Sequence, residues 1–167
     1  MRPLNRIADV ARRALRRAPG REDGPESRPA LPAGLRLSTR DDAKVVRKHW
    51  GEERWLVHGD APFVFKAIRL RAGQRTSLQY HLRKEEANLV VTGKARLHYD
   101  GGPAGPSMCP LGPGSVLHVR PGAVHRIEAI TDVLLIEVST PEVDDVVRLS
   151  DDWGRPDGRI DTEHRTG

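Results

Sequence analysis

The stretch from Gly73 to Gly93, GQRTSLQYHLRKEEANLVVTG, constrains this chain more than any other part of it. Its two glycines bound two short runs that read as strands. Side chains two apart share one face of a strand, so Gln79 and His81 point the same way. Glu86 opens the next run and meets them if the hairpin folds over. A later glycine-punctuated stretch, GSVLHVRPGAVHRIEA, brings His125 as a fourth candidate. One amide oxygen, two imidazoles and a carboxylate make a reasonable donor set for a borderline divalent ion that keeps positions open for substrate. His49, His58, His98 and His118 lack this spacing and read as structural or surface residues.

The rest of the chain is punctuated in the same way. With 16 glycines and 13 prolines in 167 residues, turns are frequent, as short-stranded all-β chains require. Alternation or apolar runs predict an edge strand and turn over 44–53, and strands over 55–58, 63–70, 89–91, 94–99, 116–119, 124–130, 133–138 and 143–149. The stretch 100–114 reads as a long Gly/Pro loop, and the polar residues from Asp151 onward read as wrapping the outside. Many short strands with regular turn signals imply an all-β antiparallel barrel or jelly roll. Lys66 interrupts an apolar run, so it either reaches the surface or faces a pocket that wants a cation.

The two ends differ from the middle. Residues 1–18 place Leu4, Ile7, Val10, Ala14 and Leu15 at helical spacing, with arginines largely elsewhere. Residues 19–36 are rich in Pro, Gly, Glu and Arg and read as a disordered linker. The expected organisation is therefore a basic amphipathic helix and linker over 1–36, a β-barrel domain over 37–156 and a polar tail over 157–167. Arg2, Arg6, Arg12, Arg13, Arg16 and Arg17 against Asp9 already account for the whole formal net charge of +5. The remainder is balanced, which argues against nucleic acid as a partner of the domain and leaves the arginine-rich helix to contact a partner or an anionic membrane surface. No run reaches the roughly 18 apolar residues of a membrane span, arginines interrupt the start where a signal peptide would be apolar, and a cytoplasmic protein is expected. The single Cys109 excludes an internal disulfide and reads as incidental.

The two glycine-bounded stretches resemble the paired motifs of the cupin superfamily. Gly73, His81, Glu86 and Gly93 fit the first motif, with Gln79 where its first histidine usually stands; Gly114, Gly122 and His125 fit the second. There Arg120 takes the proline position, with Pro121 one place on, and Ala129 replaces a terminal asparagine. The chain is most similar to the cupin domain of type II mannose-6-phosphate isomerases. That likeness rests on Trp50-Gly51, Gln79, His81, Lys84, Glu86, His125-Arg126-Ile127, Asp144-Asp145-Val146-Val147-Arg148 and Gly154-Arg155. Ala87 and Asn88 depart from it, because those isomerases commonly carry His-Trp there.

The resemblance implies a cupin barrel (double-stranded β-helix) holding one divalent ion (Mn, Zn, Fe, Co or Ni) on Gln79, His81, Glu86 and His125, and a homodimer as the assembly. It implies an aldose-ketose isomerase acting on a sugar phosphate, in which an ion polarises the sugar oxygens and a carboxylate moves a proton from C2 to C1. Glu86 serves as that base if the ion holds it loosely, and Glu137 otherwise. Lys84, Lys66, Arg126 and Arg148 are the candidate phosphate cations and Trp50 the candidate sugar-stacking ring. Strict alternation points Arg126 away from His125. A non-catalytic sugar-binding or scaffold cupin and an iron-dependent cupin oxygenase are the alternatives.

Overall fold

A computed structural model of the protein describes residues 30–160. The expected helix, most of the linker and the end of the tail lie outside the described residues. Among the described residues twelve strands follow one another: β1 (Lys44–Lys48), β2 (Gly51–Val57), β3 (Val64–Leu70), β4 (Leu78–His81), β5 (Glu86–Thr92), β6 (Ala95–Asp100), β7 (Pro106–Leu111), β8 (Val116–Val119), β9 (His125–Ala129), β10 (Val133–Ser139), β11 (Val146–Ser150) and β12 (Gly158–Ile160). Two single 3₁₀ turns, Arg40–Asp42 and Gly102–Ala104, are the only helical pieces among the described residues.

The strands form two six-stranded sheets, ordered β1-β2-β3-β10-β5-β8 and β12-β11-β4-β9-β6-β7. Neighbours run antiparallel throughout. Apolar side chains of both sheets, among them Ile68, Leu70, Val90, Leu135, Leu97, Ile127 and Ala129, pack into one buried cluster with Trp50. Removing such side chains from water is the main force closing the two sheets on each other. The fold is the all-β antiparallel barrel that the turn spacing implied.

Inward-facing positions change character along the strands. Passing along β5 they are Glu86, Asn88 and Val90; along β10, which runs the other way, they are Val133, Leu135, Glu137 and Ser139, all buried. Register pairs Glu137 with Asn88 on one side and with Lys66 on the other, so like meets like across the sheet. One end of the barrel is therefore apolar and the other polar, and the candidate ligands lie at the polar end.

Three local readings change. The expected edge strand and turn over 44–53 is a full hairpin whose second arm, β2, starts at Gly51, because a Cβ there would sit 1.9 Å from the Arg69 carbonyl oxygen and no other residue lets β2 approach β3. The expected long loop over 100–114 contains β7, whose Pro106 and Pro110 disguise it; among the described residues β7 pairs only with β6, and a strand at a sheet edge tolerates residues that cannot donate. Residues 158–160 do not merely wrap the outside but extend the second sheet as β12 on β11. The turn before β12 is tied by Asp151, which accepts hydrogen bonds from the Trp153 and Arg155 backbone amides and from the Arg155 guanidinium at 2.8 Å. Burial opposes ionisation of Asp151, but the Arg155 contacts win and pull its pKa to about 2.

Gly93 turns the chain between β5 and β6 at φ +89°, with room for a Cβ only 2.2 Å from the Asp132 carbonyl oxygen. Gly93→Ala combines a left-handed backbone with a backbone clash, and denaturant unfolding should show a loss of more than about 2 kcal/mol.

Candidate metal centre

His81 ends β4, Glu86 begins β5 and His125 begins β9, so three strand termini from two sheets deliver them to the polar end of the barrel. All three are buried. The His81 Nε2 lies 3.6 Å from Glu86 Oε2, and the His125 Nε2 lies 3.4 Å from Glu86 Oε1.

The other ring nitrogens fix what these atoms are. His81 Nδ1 sits 2.9 Å from the Asp145 carbonyl oxygen and His125 Nδ1 sits 3.0 Å from the Ala123 carbonyl oxygen. A carbonyl oxygen only accepts, so each Nδ1 carries a proton, and each ring turns its Nε2 toward Glu86. Burial lowers the pKa of His81, the nearby Lys84 ammonium lowers it further, and Glu86 recovers only part of that. His81 is thereby held neutral, and its buried Nε2 has no hydrogen-bond partner.

A lone pair facing a carboxylate oxygen with no proton between them is repulsive, and a cation is what resolves it. Two donors bonded at about 2.1 Å to one ion are about 3.0 to 3.4 Å apart for bond angles between 90° and tetrahedral. The observed 3.4 and 3.6 Å are close to that spacing. All three donor atoms fall within 4.8 Å of one another, and two such bonds reach at most about 4.2 Å, so a small inward shift completes the set. Gln79, paired in register with His125, lines the same hollow; its Oε1 accepts from Ser77 Oγ at 2.7 Å. The residues present fit a divalent ion.

Behind the triad runs a ladder of alternating charge. The Lys84 ammonium bonds to Glu86 Oε2 and, at 3.0 Å, to Glu137 Oε1; Lys66 lies 3.2 Å from the same Glu137 oxygen and 3.4 Å from Glu53. Lys66 also stands 4.6 Å from the centre of the Trp55 ring, whose Nε1 donates to Glu53. Burial disfavours the Lys84 cation, but Glu137 and Glu86 outweigh burial and raise its pKa. Burial likewise opposes the Glu86 anion, yet the Lys84 ammonium outweighs it and holds the Glu86 pKa well below the ordinary carboxylate range. Three carboxylates and two ammoniums leave this interior one negative charge in excess, which a divalent cation would reverse.

The structure brings Gln79, His81, Lys84, Glu86, His125, Lys66, Glu137 and Trp50 to one hollow of about 70 Å³. Trp50 belongs to its apolar wall and to the core at once. Arg126 and Arg148 are not part of it. Arg126 points to the other face of β9, where it donates to the Ser150 carbonyl and lies 3.5 Å from Asp152, and Arg148 donates to the Pro156 carbonyl.

Asp145 and Glu53 carry roles that spacing did not reveal. Asp145 accepts from the Lys84 and Arg83 backbone amides while its own carbonyl orients His81, so one buried residue sets both the β4–β5 turn and a ligand tautomer. The Asp-Asp-x-Val-Arg signature contained it, but nothing in the sequence says that its partners are backbone amides 61 and 62 residues earlier.

This barrel with a His-Glu-His cluster at its polar end defines the protein as a cupin. More narrowly, the chain belongs to the family described as mannose-6-phosphate isomerase C-terminal, whose sequence profile matches residues 37–151. It is 33% identical over 117 residues to a mannose-1-phosphate guanylyltransferase of Escherichia coli K12, and 32% identical over 117 residues to mannose-1-phosphate guanylyltransferase ManC of Salmonella typhimurium. Each match takes in 67% of this chain and 23% of the relative, so the chain spans under a quarter of those proteins' length. Among solved structures it is similar to an oxalate decarboxylase variant of Bacillus subtilis, with a TM-score of 0.57 and 19% identity over 70% of this chain and 33% of that one. CapF, crystallised with 3-isopropenyl-tropolone, gives a TM-score of 0.57 and 18% identity over 65% of this chain and 35% of that one. These structural likenesses extend to the fold.

Asp145→Ala should weaken divalent-metal affinity by about 10- to 100-fold, as losses behind the ligands do. Titration calorimetry of Asp145→Ala and Asp145→Asn checks this, the Asn variant keeping part of the affinity because its side-chain oxygen can still accept an amide.

Proposed function

We propose that this cupin holds one divalent ion on His81, Glu86, His125 and Gln79 and interconverts an aldose phosphate and its ketose, as an isomerase of the mannose-6-phosphate type. The observation that carries the reading is the buried His81 Nε2, a neutral lone pair aimed at Glu86 with no proton donor to satisfy it. Membership of the isomerase C-terminal family and a Bacillus subtilis oxalate decarboxylase with Mn(II) centres support a metal role for the same barrel end. Mn²⁺ suits a set with one amide and one carboxylate oxygen, and Zn, Fe, Co or Ni fit its imidazoles.

When bound, the ion would polarise the carbonyl and adjacent hydroxyl of the open-chain sugar. The protein's own residues would do the rest. Glu137 reaches the hollow with Oε1 engaged by Lys84 and Lys66, which leaves Oε2 to take a proton from C2 and return it to C1. Lys84 separates Glu137 from Glu86, so one carboxylate can serve the ion and the other the proton. Glu86 would be the base if the ion held it loosely. A hollow of about 70 Å³ admits the reacting carbons but not a whole hexose phosphate, so the phosphate end must remain near the mouth. Lys84 and Lys66 would act on the sugar through the field of the ladder, since both are committed to carboxylates. The exposed apolar positions Leu89, Val116 and Val138 on β5, β8 and β10 offer a face for homodimer assembly.

The same small hollow favours a second reading, a metal-bearing cupin that binds a sugar without turning it over. One experiment separates them: metal analysis of the purified protein coupled to a ketose-formation assay on mannose 6-phosphate and related aldose phosphates. The isomerase reading expects bound metal, ketose formation, loss of both in His81→Ala, and a fall in kcat of about 100-fold or more with metal retained in Glu137→Gln. Full metal retention by His81→Ala contradicts the site. Bound metal and sugar with no ketose selects the binding reading.

A further inference from the structure

A second concavity lies away from the metal-candidate hollow. It is a groove of about 540 Å³ at the opposite end of the first sheet, a volume within the 300 to 1,000 Å³ typical of small-molecule sites. Leu134, Val133 and Gly51 form its floor, and Thr92 at the far end of β5 is part of its wall. Glu86 begins β5 and Thr92 ends it, so at about 3.3 Å per residue the groove lies about 20 Å from the triad. A hexose phosphate seated at one end cannot touch the other.

The walls of the groove are basic. Register sets Arg47, Glu52 and Arg69 side by side across β1, β2 and β3. The acids here are already engaged: Glu52 accepts from Arg54 Nε at 3.0 Å, and Asp132 Oδ1 accepts from the Ala72 backbone amide at 2.9 Å. Arg71 donates to the His49 carbonyl, and Lys48 has an interaction of its own. Arg47 and Arg69 remain, exposed, facing the groove and with no carboxylate bound to either among the described residues. Their backbones are two strand spacings apart, about 10 Å, which two long arginine arms can close onto one diphosphate. Guanidinium forks match phosphate oxygens pairwise and also stack on planar rings.

We propose that this groove is a second ligand site, taking a nucleotide-sized organic phosphate, with the phosphates on Arg47 and Arg69 and the body of the ligand over Leu134. The site is independent of the reaction at the other end of the barrel and stands whether or not the isomerase reading does.

Calorimetric titration of the full chain with GDP and ADP, inorganic pyrophosphate and mannose 6-phosphate tests it. The nucleoside diphosphates bind saturably, and pyrophosphate, lacking a body, binds about 10-fold more weakly. Arg47→Gln and Arg69→Gln each weaken nucleotide binding by about 10-fold, as loss of a charged hydrogen bond of about 1.5 kcal/mol does. Both side chains are exposed, so the unfolding midpoint of these variants stays at the parent value and shows that the fold is intact. His81→Ala leaves nucleotide affinity unchanged. Absence of saturable binding, equal affinity for pyrophosphate, or loss of binding in His81→Ala but not in the arginine variants overturns the proposal.

Discussion

Two imidazole Nε2 atoms, that of His81 an unpartnered lone pair, confront one buried carboxylate, and the organisation of the polar barrel end follows from that confrontation. Backbone carbonyls of Asp145 and Ala123 occupy the Nδ1 protons, so neither ring can relieve the repulsion by exchanging tautomers without losing a buried hydrogen bond. Protonation is the remaining escape. For His81 it is opposed by burial and by Lys84, and an ion is the simplest group that satisfies all three donors together.

The ladder behind the triad is costly by itself. Five charged side chains, Glu53, Lys66, Glu137, Lys84 and Glu86, are nearly devoid of solvent, and burying paired charges seldom contributes net stability. Its use is orientation. Lys84 cannot leave Glu86 without stranding Glu137, and Lys66 cannot leave Glu137 without stranding Glu53, so each acid is held in one place by its neighbours. The gradient from apolar to polar along β5 and β10 confines this expense to one end and leaves the other to supply the hydrophobic driving force. Ionic order at the site and apolar packing below it are thus parts of one strand pattern.

That pattern was partly visible in the amino-acid sequence. Period-2 reasoning placed Gln79 with His81, and the glycine-bounded stretches located Glu86 and His125, because ligand geometry is encoded locally within a strand and its turn. The strand β7 was hidden by Pro106 and Pro110, whose meaning depends on whether a strand lies at an edge, a fact of topology. Glu53 was hidden for a similar reason: its partner Lys66 is neighbour to it only through β2–β3 pairing. Arg126 and Arg148 lie away from the hollow: Arg126, although adjacent to His125, is on the far face of its strand as alternation implied, and Arg148 donates to the Pro156 carbonyl. Asp145 shows the limit most clearly, because its carboxylate grips two backbone amides and its carbonyl orients His81, and no side-chain pattern announces those partners.

Family membership sets the context without deciding the chemistry, since the chain spans only 23% of its guanylyltransferase relatives. The central claim is physical: a cation belongs between His81, His125 and Glu86. Anomalous diffraction from crystals grown with Mn²⁺ addresses it directly. The account predicts one strong peak bonded to His81 Nε2, His125 Nε2 and a Glu86 oxygen at about 2.0 to 2.2 Å. A map with no peak there, and a Glu86 carboxylate drawn instead into direct hydrogen bonds with both rings, would contradict it.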